Sequence, residues 1–293
     1  MDRLPAARRF VRRFVAGPLL EDALAVVARL NADGVDAAVT HLGEHVATAD
    51  DAAHAADAYL GMLDEIARRR LRAVPSLKLT HLGLDLGEPM CRANLERVAS
   101  RGLAAGTLVW VDMESSAYTD RTLELYRALH PTHSNLACVV QAYLRRTAQD
   151  VERLIEIGAA VRLCKGAYRE PPELAFPDKR DVDASYVQLT DRLLSAEALA
   201  RGVYPAFATH DERMLDRARA RAKQEGVGAD RYELQMLYGI RHDLHGRLRA
   251  GGLRLRVLVP YGEDWYGYFM RRLAERPANL TFFFRQLVRG SAP

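Results

Sequence analysis

The sequence predicts an α/β fold, a closed (βα)8 barrel that fills most of the chain. Three observations predict it. Short β-rich runs alternate with charged helical runs from residue 35 onward. Such units follow one another at roughly 30 residues each, the size of a strand, crossover, strand step. The β-rich runs are apolar throughout, as strands covered on both faces must be. There are eight of them, and eight parallel strands close naturally, so the expected class is a distorted TIM-type barrel. Extra helices are expected at the N-terminus and one more at the C-terminus.

Taken in order, the chain opens with Arg8, Arg9, Arg12 and Arg13 interleaved with Phe10, Val11, Phe14 and Val15. On a helix the two sets occupy opposite faces. The expected element is a capping helix packed by its apolar side; a rival reading lays it on an acidic membrane surface. A second short helix is predicted over 19–30, giving an N-terminal helical segment, 1–34, ahead of a barrel domain, 35–293. Strands are predicted at 35–40, 74–80, 107–113, 136–143, 160–164, 204–209, 232–237 and 253–259. Amphipathic helices are predicted at 52–70, 94–100, 121–129, 151–157, 185–200, 213–225 and 241–250. Gly102, Gly158, Gly202, Gly226, Gly239 and Gly251 punctuate the joints. Residues 279–288, N-L-T-F-F-F-R-Q-L-V, read as a final helix on the barrel.

Composition narrows the classes. The chain has 293 residues, 49% hydrophobic and 27% charged, an ordinary globular balance. Its 42 basic and 38 acidic residues leave a net charge of +4, with no basic cluster beyond the N-terminus, which argues against nucleic acid. Cys91, Cys138 and Cys164 form no C-x-x-C, so a disulfide framework is not expected and a reducing cytoplasm suits the chain. No secretory signal is read, and no uncharged apolar run is long enough to span a bilayer.

A barrel carries its chemistry at the C-terminal ends of its strands. The polar residues that interrupt the apolar runs there are Lys78, Asp112, Gln141, Arg162, Lys165, Thr209, His210, Asp211 and Gln235. A charge inside an apolar strand is costly unless it is paired or solvated, so one on each of six successive strands implies a site. The helix after the eighth strand adds Tyr268, Arg271, Arg272 and Glu275, spaced i, i+3, i+4 and i+7 on one face. Two adjacent Arg forks suit a carboxylate or phosphate, and Glu275 can orient one of them. Lys78, Arg162, Lys165, Arg271 and Arg272 against Asp112 predict a cationic pocket for an anionic ligand. Gly166 after the fifth strand lets backbone approach that ligand. No P-loop or G-x-G-x-x-G is present. His130, His133, His242 and His245 read as surface-loop residues rather than metal ligands. Cys138 and Cys164 read as core.

The ordered motifs S-L-K-L-T, V-D-M-E, V-V-Q-A-Y, V-R-L-C-K-G-A-Y, F-A-T-H-D and Y-x-x-R-R-x-x-E-R-P resemble proline dehydrogenase, in its compact monofunctional bacterial form. The likeness covers residues 35–290. It implies a distorted barrel holding FAD at the strand C-termini and oxidising L-proline to 1-pyrroline-5-carboxylate. By that resemblance Arg271 and Arg272 clamp the proline carboxylate with help from Lys78. Tyr268 packs on the ring, and Glu275 orients an arginine. Arg162 lies at the flavin N5 edge, Asp112 on the substrate side and Met113 beside the flavin. Gln141 bonds the flavin ring; Lys165, Gly166, Ala167, Thr209 and His210 hold its ribityl and pyrophosphate portions. Gln235 is counted with the cofactor residues. Leu258 stands where several relatives carry Tyr, which implies a roomier ring pocket. The resemblance also implies a quinone-type acceptor at a membrane surface and 1-pyrroline-5-carboxylate dehydrogenase as a partner. Two other readings of the same barrel stay open: a Schiff-base aldolase with Lys78 or Lys165 as nucleophile, and a non-catalytic binder of an anionic metabolite.

Overall fold

In this computed structural model the described residues are 11–274, with side chains described as far as Arg271. The predicted helix at 279–288 therefore lies outside them, as do Glu275 and the side chain of Arg272.

Eight parallel strands form a closed barrel in chain order. They are β1 (Asp36–His41), β2 (Ala73–Leu77), β3 (Val109–Val111), β4 (Leu136–Gln141), β5 (Ala160–Cys164), β6 (Tyr204–Ala208), β7 (Glu233–Leu237) and β8 (Leu255–Tyr261). β1 closes the ring against β8, with Asp36 opposite Arg256 and Thr40 opposite Pro260. The helices α1 (Leu20–Ala32), α2 (Ala49–Arg68), α3 (Glu88–Ala104), α4 (Ser116–Leu129) and α5 (Thr147–Glu156) follow one another around the outside. They continue with α6 (Lys179–Leu193), α7 (Ala196–Ala200), α8 (Glu212–Gln224), α9 (His242–Ala250) and α10 (Trp265–Ala274). One apolar core joins the outward strand faces to the inner helix stripes, with Tyr59, Met62, Tyr126 and Tyr186 fully buried in it. The predicted N-terminal helix appears as α1, which packs its Ala23, Leu24 and Val27 face over β1 and β8.

Several boundaries differ from the sequence reading for local reasons. α3 begins at Glu88 rather than 94, because Pro89 at its first turn costs no intrahelical hydrogen bond. Gly102, read as a joint, lies inside α3: a Cβ there would come 2.7 Å from Val109 Cγ2. Its smallness lets the helix close on the sheet. The predicted helix 185–200 is two helices, broken where Ser195 Oγ accepts the Ala198 N–H at 3.2 Å and caps α7. His242 and His245 belong to α9 rather than to a loop, and His245 is buried. Among the described residues no His, Cys, Asp or Glu cluster could hold a metal ion.

The described part of the N-terminal segment packs on the barrel. Val11, Phe14 and Val15 are buried against Leu42, Ile240, Tyr268 and Phe269, while Arg12 and Arg13 are exposed. Ala16 N–H donates to Pro260 O at 2.9 Å and Gly262 N–H to Gly17 O at 2.9 Å. The segment is thus tied to the end of β8, next to the helix that carries Tyr268 and Arg271. No helix among the described residues is long and apolar enough to cross a membrane.

Candidate active site

A cavity of about 540 Å³ opens at the C-terminal ends of the strands. That is within the range of small-molecule sites. The pleat explains who lines it: every second residue of a barrel strand points inward, and the last inward residue of each strand meets the opening. Thus β2, β3, β4 and β5 deliver Lys78, Asp112, Gln141 and Arg162 to one space, with Met113 beside them. Lys165, Gly166, Ala167, Thr209, His210 and Gln235 line its other side, and Tyr268 and Arg271 from α10 close it. All the site residues expected from the sequence whose side chains are described line this cavity. Cys164 corrects one reading, since it lines the cavity and is only half-buried; Cys138 is core.

Arg162 holds the centre. Its Nη1 donates to Asp112 Oδ1 at 2.8 Å and to Ser76 Oγ at 3.0 Å. Its guanidinium lies 4.4 Å from the centroid of the Trp110 ring, a cation–π contact. Nε and Nη2 are buried and have no hydrogen-bond partner among the described residues. Burial lowers the Arg162 pKa from its ordinary value, and the Asp112 charge opposes that shift. A buried guanidinium with one edge unpaired is a donor held ready for an acceptor.

The cavity mouth is less cationic than the sequence suggests. Arg271 donates to Glu44 through Nη2, and its Nη1 lies 3.4 Å from Glu44 Oε2. Lys78 Nζ lies 3.5 Å from Glu44 Oε1. Burial works to raise the Glu44 pKa, but Lys78 and Arg271 outweigh it and leave it lowered. Lys165 Nζ is held between Asp183 at 2.5 Å and Asp211 at 2.8 Å. The expectation that Asp112 alone opposes the cations is therefore corrected. Glu44 and Asp183 escaped it because they sit outside the strands, on a loop and a helix start whose position only the fold supplies; Asp211 was read at the end of the sixth strand, but its pairing with Lys165 was not. The same holds for Tyr168, whose ring lies 5.5 Å from the Arg271 guanidinium. Thr40, the last inward residue of β1, could have been read by the alternation applied to the other strands.

Supporting contacts fix the rest. The Thr80 N–H and hydroxyl donate to Glu114 at 3.1 and 2.6 Å, and Gln141 Nε2 donates to Glu114 O at 2.8 Å. Burial raises the Glu114 pKa. His210 Nε2 accepts the Leu237 N–H at 2.9 Å, tying β6 to β7. Gly166 has φ +115, and a Cβ there would lie 2.3 Å from the Tyr143 ring. The glycine is thus demanded by a protein neighbour, whatever the cavity holds.

Comparison with known proteins decides the family. The proline dehydrogenase family profile matches residues 23–285. The chain belongs to the proline dehydrogenase family. It is 39% identical over 279 residues to proline dehydrogenase 1 of Bacillus subtilis strain 168, covering 95% of this chain and 90% of the relative. It is 36% identical over 288 residues to proline dehydrogenase 2 of Bacillus subtilis subsp. natto, covering 97% and 93%. Among solved structures, proline utilization A (PutA) from Bdellovibrio bacteriovorus, inactivated by N-propargylglycine, superposes with a TM-score of 0.84 at 26% identity. That match covers 91% of this chain but 32% of that one, so the chain spans about a third of that protein's length. As a proline dehydrogenase family member the chain is an oxidoreductase, and it matches these bacterial proline dehydrogenases over nearly their full length.

Proposed function

We propose that this chain oxidises L-proline to 1-pyrroline-5-carboxylate with FAD bound in the cavity, and that the electrons leave to a quinone-type acceptor. One observation carries the reading: Arg271 and Lys78 converge on a single carboxylate, that of Glu44, at the mouth of a cavity whose floor holds a half-paired arginine. A guanidinium has five N–H donors and an ammonium three, so Glu44 leaves capacity for a second carboxylate. That capacity is assigned to the substrate, with Arg272 beside it on the same helix.

The residues fit the cofactor. The unpaired Nε and Nη2 of Arg162 suit an electron-rich ring edge, and Gln141, Met113 and Gln235 line the space around it. Lys165, Gly166, Ala167, Thr209 and His210 would hold the polar tail. When bound, FAD supplies the two-electron acceptor.

The protein's share is position and field. Arg271 and Lys78 fix the carboxylate, and the buried Tyr268 packs on the ring. Holding the reacting carbon in a near-attack geometry removes several kcal/mol from the barrier. The amine must be neutral before its neighbouring carbon gives up hydride, and the cations around it disfavour the ammonium form. Arg162 favours negative charge at the acceptor ring. Asp112 keeps that guanidinium charged and in place. Glu275, which follows α10 in the chain, is proposed as a further orienter. The product carries an imine and a carboxylate, and 1-pyrroline-5-carboxylate dehydrogenase is the partner proposed to take it.

The test is direct. Purified protein loaded with FAD should bleach in its visible band when L-proline is added without oxygen. A flavin band that L-proline leaves unchanged, or a protein that takes up no FAD, overturns the reading.

A further inference from the structure

Glu44 reaches Arg271 and Lys78 from the loop between β1 and α2, and that loop is held in an unusual shape. His45, the next residue, has φ +54, in the left-handed region that an L residue with a side chain occupies only when its surroundings hold it there. Those surroundings are specific. His45 Nδ1 donates to Asp85 Oδ2 at 2.7 Å, and the Tyr118 hydroxyl donates to Asp85 Oδ1 at 2.9 Å. The rings of His45 and Tyr118 lie 5.7 Å apart. Burial works against the Asp85 carboxylate, but the bonds from His45 and Tyr118 outweigh it and lower its pKa. Asp85 is itself fixed, since Arg121 donates to the neighbouring Leu84 O at 2.5 Å.

The loop is pinned on both sides of Glu44. Leu42 N–H donates to Tyr261 O at 2.8 Å, and a Cβ on Gly43 would lie 2.4 Å from His81 Nε2. Thr48 and Asp51 close the far end with a reciprocal cap, at 3.1 Å in each direction. Between these pins His45 is the residue that turns the chain. Nothing in the barrel requires a surface histidine, an aspartate from the β2 end and a tyrosine from α4 to meet there. Their common effect is to present Glu44 to Arg271.

We propose that Asp85 and Tyr118 are positioning residues for substrate binding: through His45 they hold the β1–α2 loop so that Glu44 orients the Arg271 guanidinium for the substrate carboxylate. This rests on the proposed function, in which Arg271 grips that carboxylate. None of the three latch residues lines the cavity, so their loss should act on substrate binding and leave the cofactor alone.

The experiment is a double-mutant cycle on the FAD-loaded enzyme. Asp85→Ala should raise the KM for proline about five- to tenfold while kcat changes less than about twofold. Tyr118→Phe should raise it about threefold, since one of two bonds to Asp85 remains with His45. FAD affinity and Tm should stay at the wild-type values in both. In a Glu44→Gln background Asp85→Ala should add nothing, because the loop then has no carboxylate to deliver. An unchanged KM in Asp85→Ala overturns the proposal. So does a KM rise that persists in full on top of Glu44→Gln, which would mark a merely structural role. Should Asp85→Ala prove unstable, Tyr118→Phe runs through the same cycle, and either of the same two outcomes overturns the proposal. A wild-type protein that does not turn over proline sinks the underlying reading instead, and is seen before any variant is made.

Discussion

Two clusters of buried charge share the inside of this barrel, and they differ in what is left over. Near the N-terminal ends of the strands Arg256 grips Glu233 through Nε at 2.8 Å and Nη2 at 2.9 Å, while its Nη1 donates to Ala37 O at 2.9 Å. The Tyr204 hydroxyl reaches Glu233 Oε2 at 3.2 Å, and Gln235 donates to Oε1. Burial works to raise the Glu233 pKa, yet Arg256 overrides it and leaves it lowered. Every nitrogen of the Arg256 guanidinium has a partner. At the other end Arg162 has a carboxylate on one edge and no described partner on the other, beside a cavity. The same residue types build both. A saturated pair reads as structure, and an unsaturated one as a site, because only the second can gain from a ligand.

The largest effect should come from breaking the saturated pair. Glu233→Ala would strand the Arg256 charge in the barrel and cost about 3–5 kcal/mol, read as a lower denaturant midpoint. A stability within about 1 kcal/mol of wild type would show that the pair is solvated and the contrast false.

Next, Arg271→Ala should raise the KM for proline roughly a hundredfold, about 3 kcal/mol, with FAD still bound. Unchanged proline kinetics would remove Arg271 from the substrate clamp.

A smaller effect belongs to pH. Burial lowers His81 to about 4 and His245 to about 4, from the usual 6.5. The unfolded chain therefore binds protons first, so their contribution is present above pH 6.5 and is lost as pH falls towards 4. Between pH 6.5 and 5 the loss should be on the order of 2 kcal/mol for each. His81→Asn should flatten the decline in stability between pH 7 and 5; a slope equal to that of wild type would refute it.

The smallest effect should come from Arg162→Met. Its second edge is unpaired, and the Asp112 left behind is partly exposed and keeps its bond from Ser76, so stability should move by only about 1 kcal/mol. FAD affinity should fall instead. A loss as large as that of Glu233→Ala would place Arg162 with the structural cluster.

The alternation of apolar runs with amphipathic ones was enough for the eight strands and their order, since both periodicities are local. It also pointed to Lys78, Asp112, Gln141, Arg162 and Gln235, because a polar residue inside an apolar strand is too costly to stand there unused. It misjudged places where a neighbour distant in sequence decides. Gly102 looked like a joint and is a close approach to Val109. Residues 185–200 looked like one helix and are cut by the Ser195 cap.

By itself, then, the sequence determined a parallel eight-stranded barrel, the end at which the cavity opens and most of the side chains that line it. Strand period and burial are properties of short stretches, so they can be read in line. Only the tertiary structure decided which charges are neutralised. Glu44 meets Arg271 across 227 positions of chain, and Asp211 meets Lys165 across 46. Such pairings depend on how the strands close, and no local pattern records them.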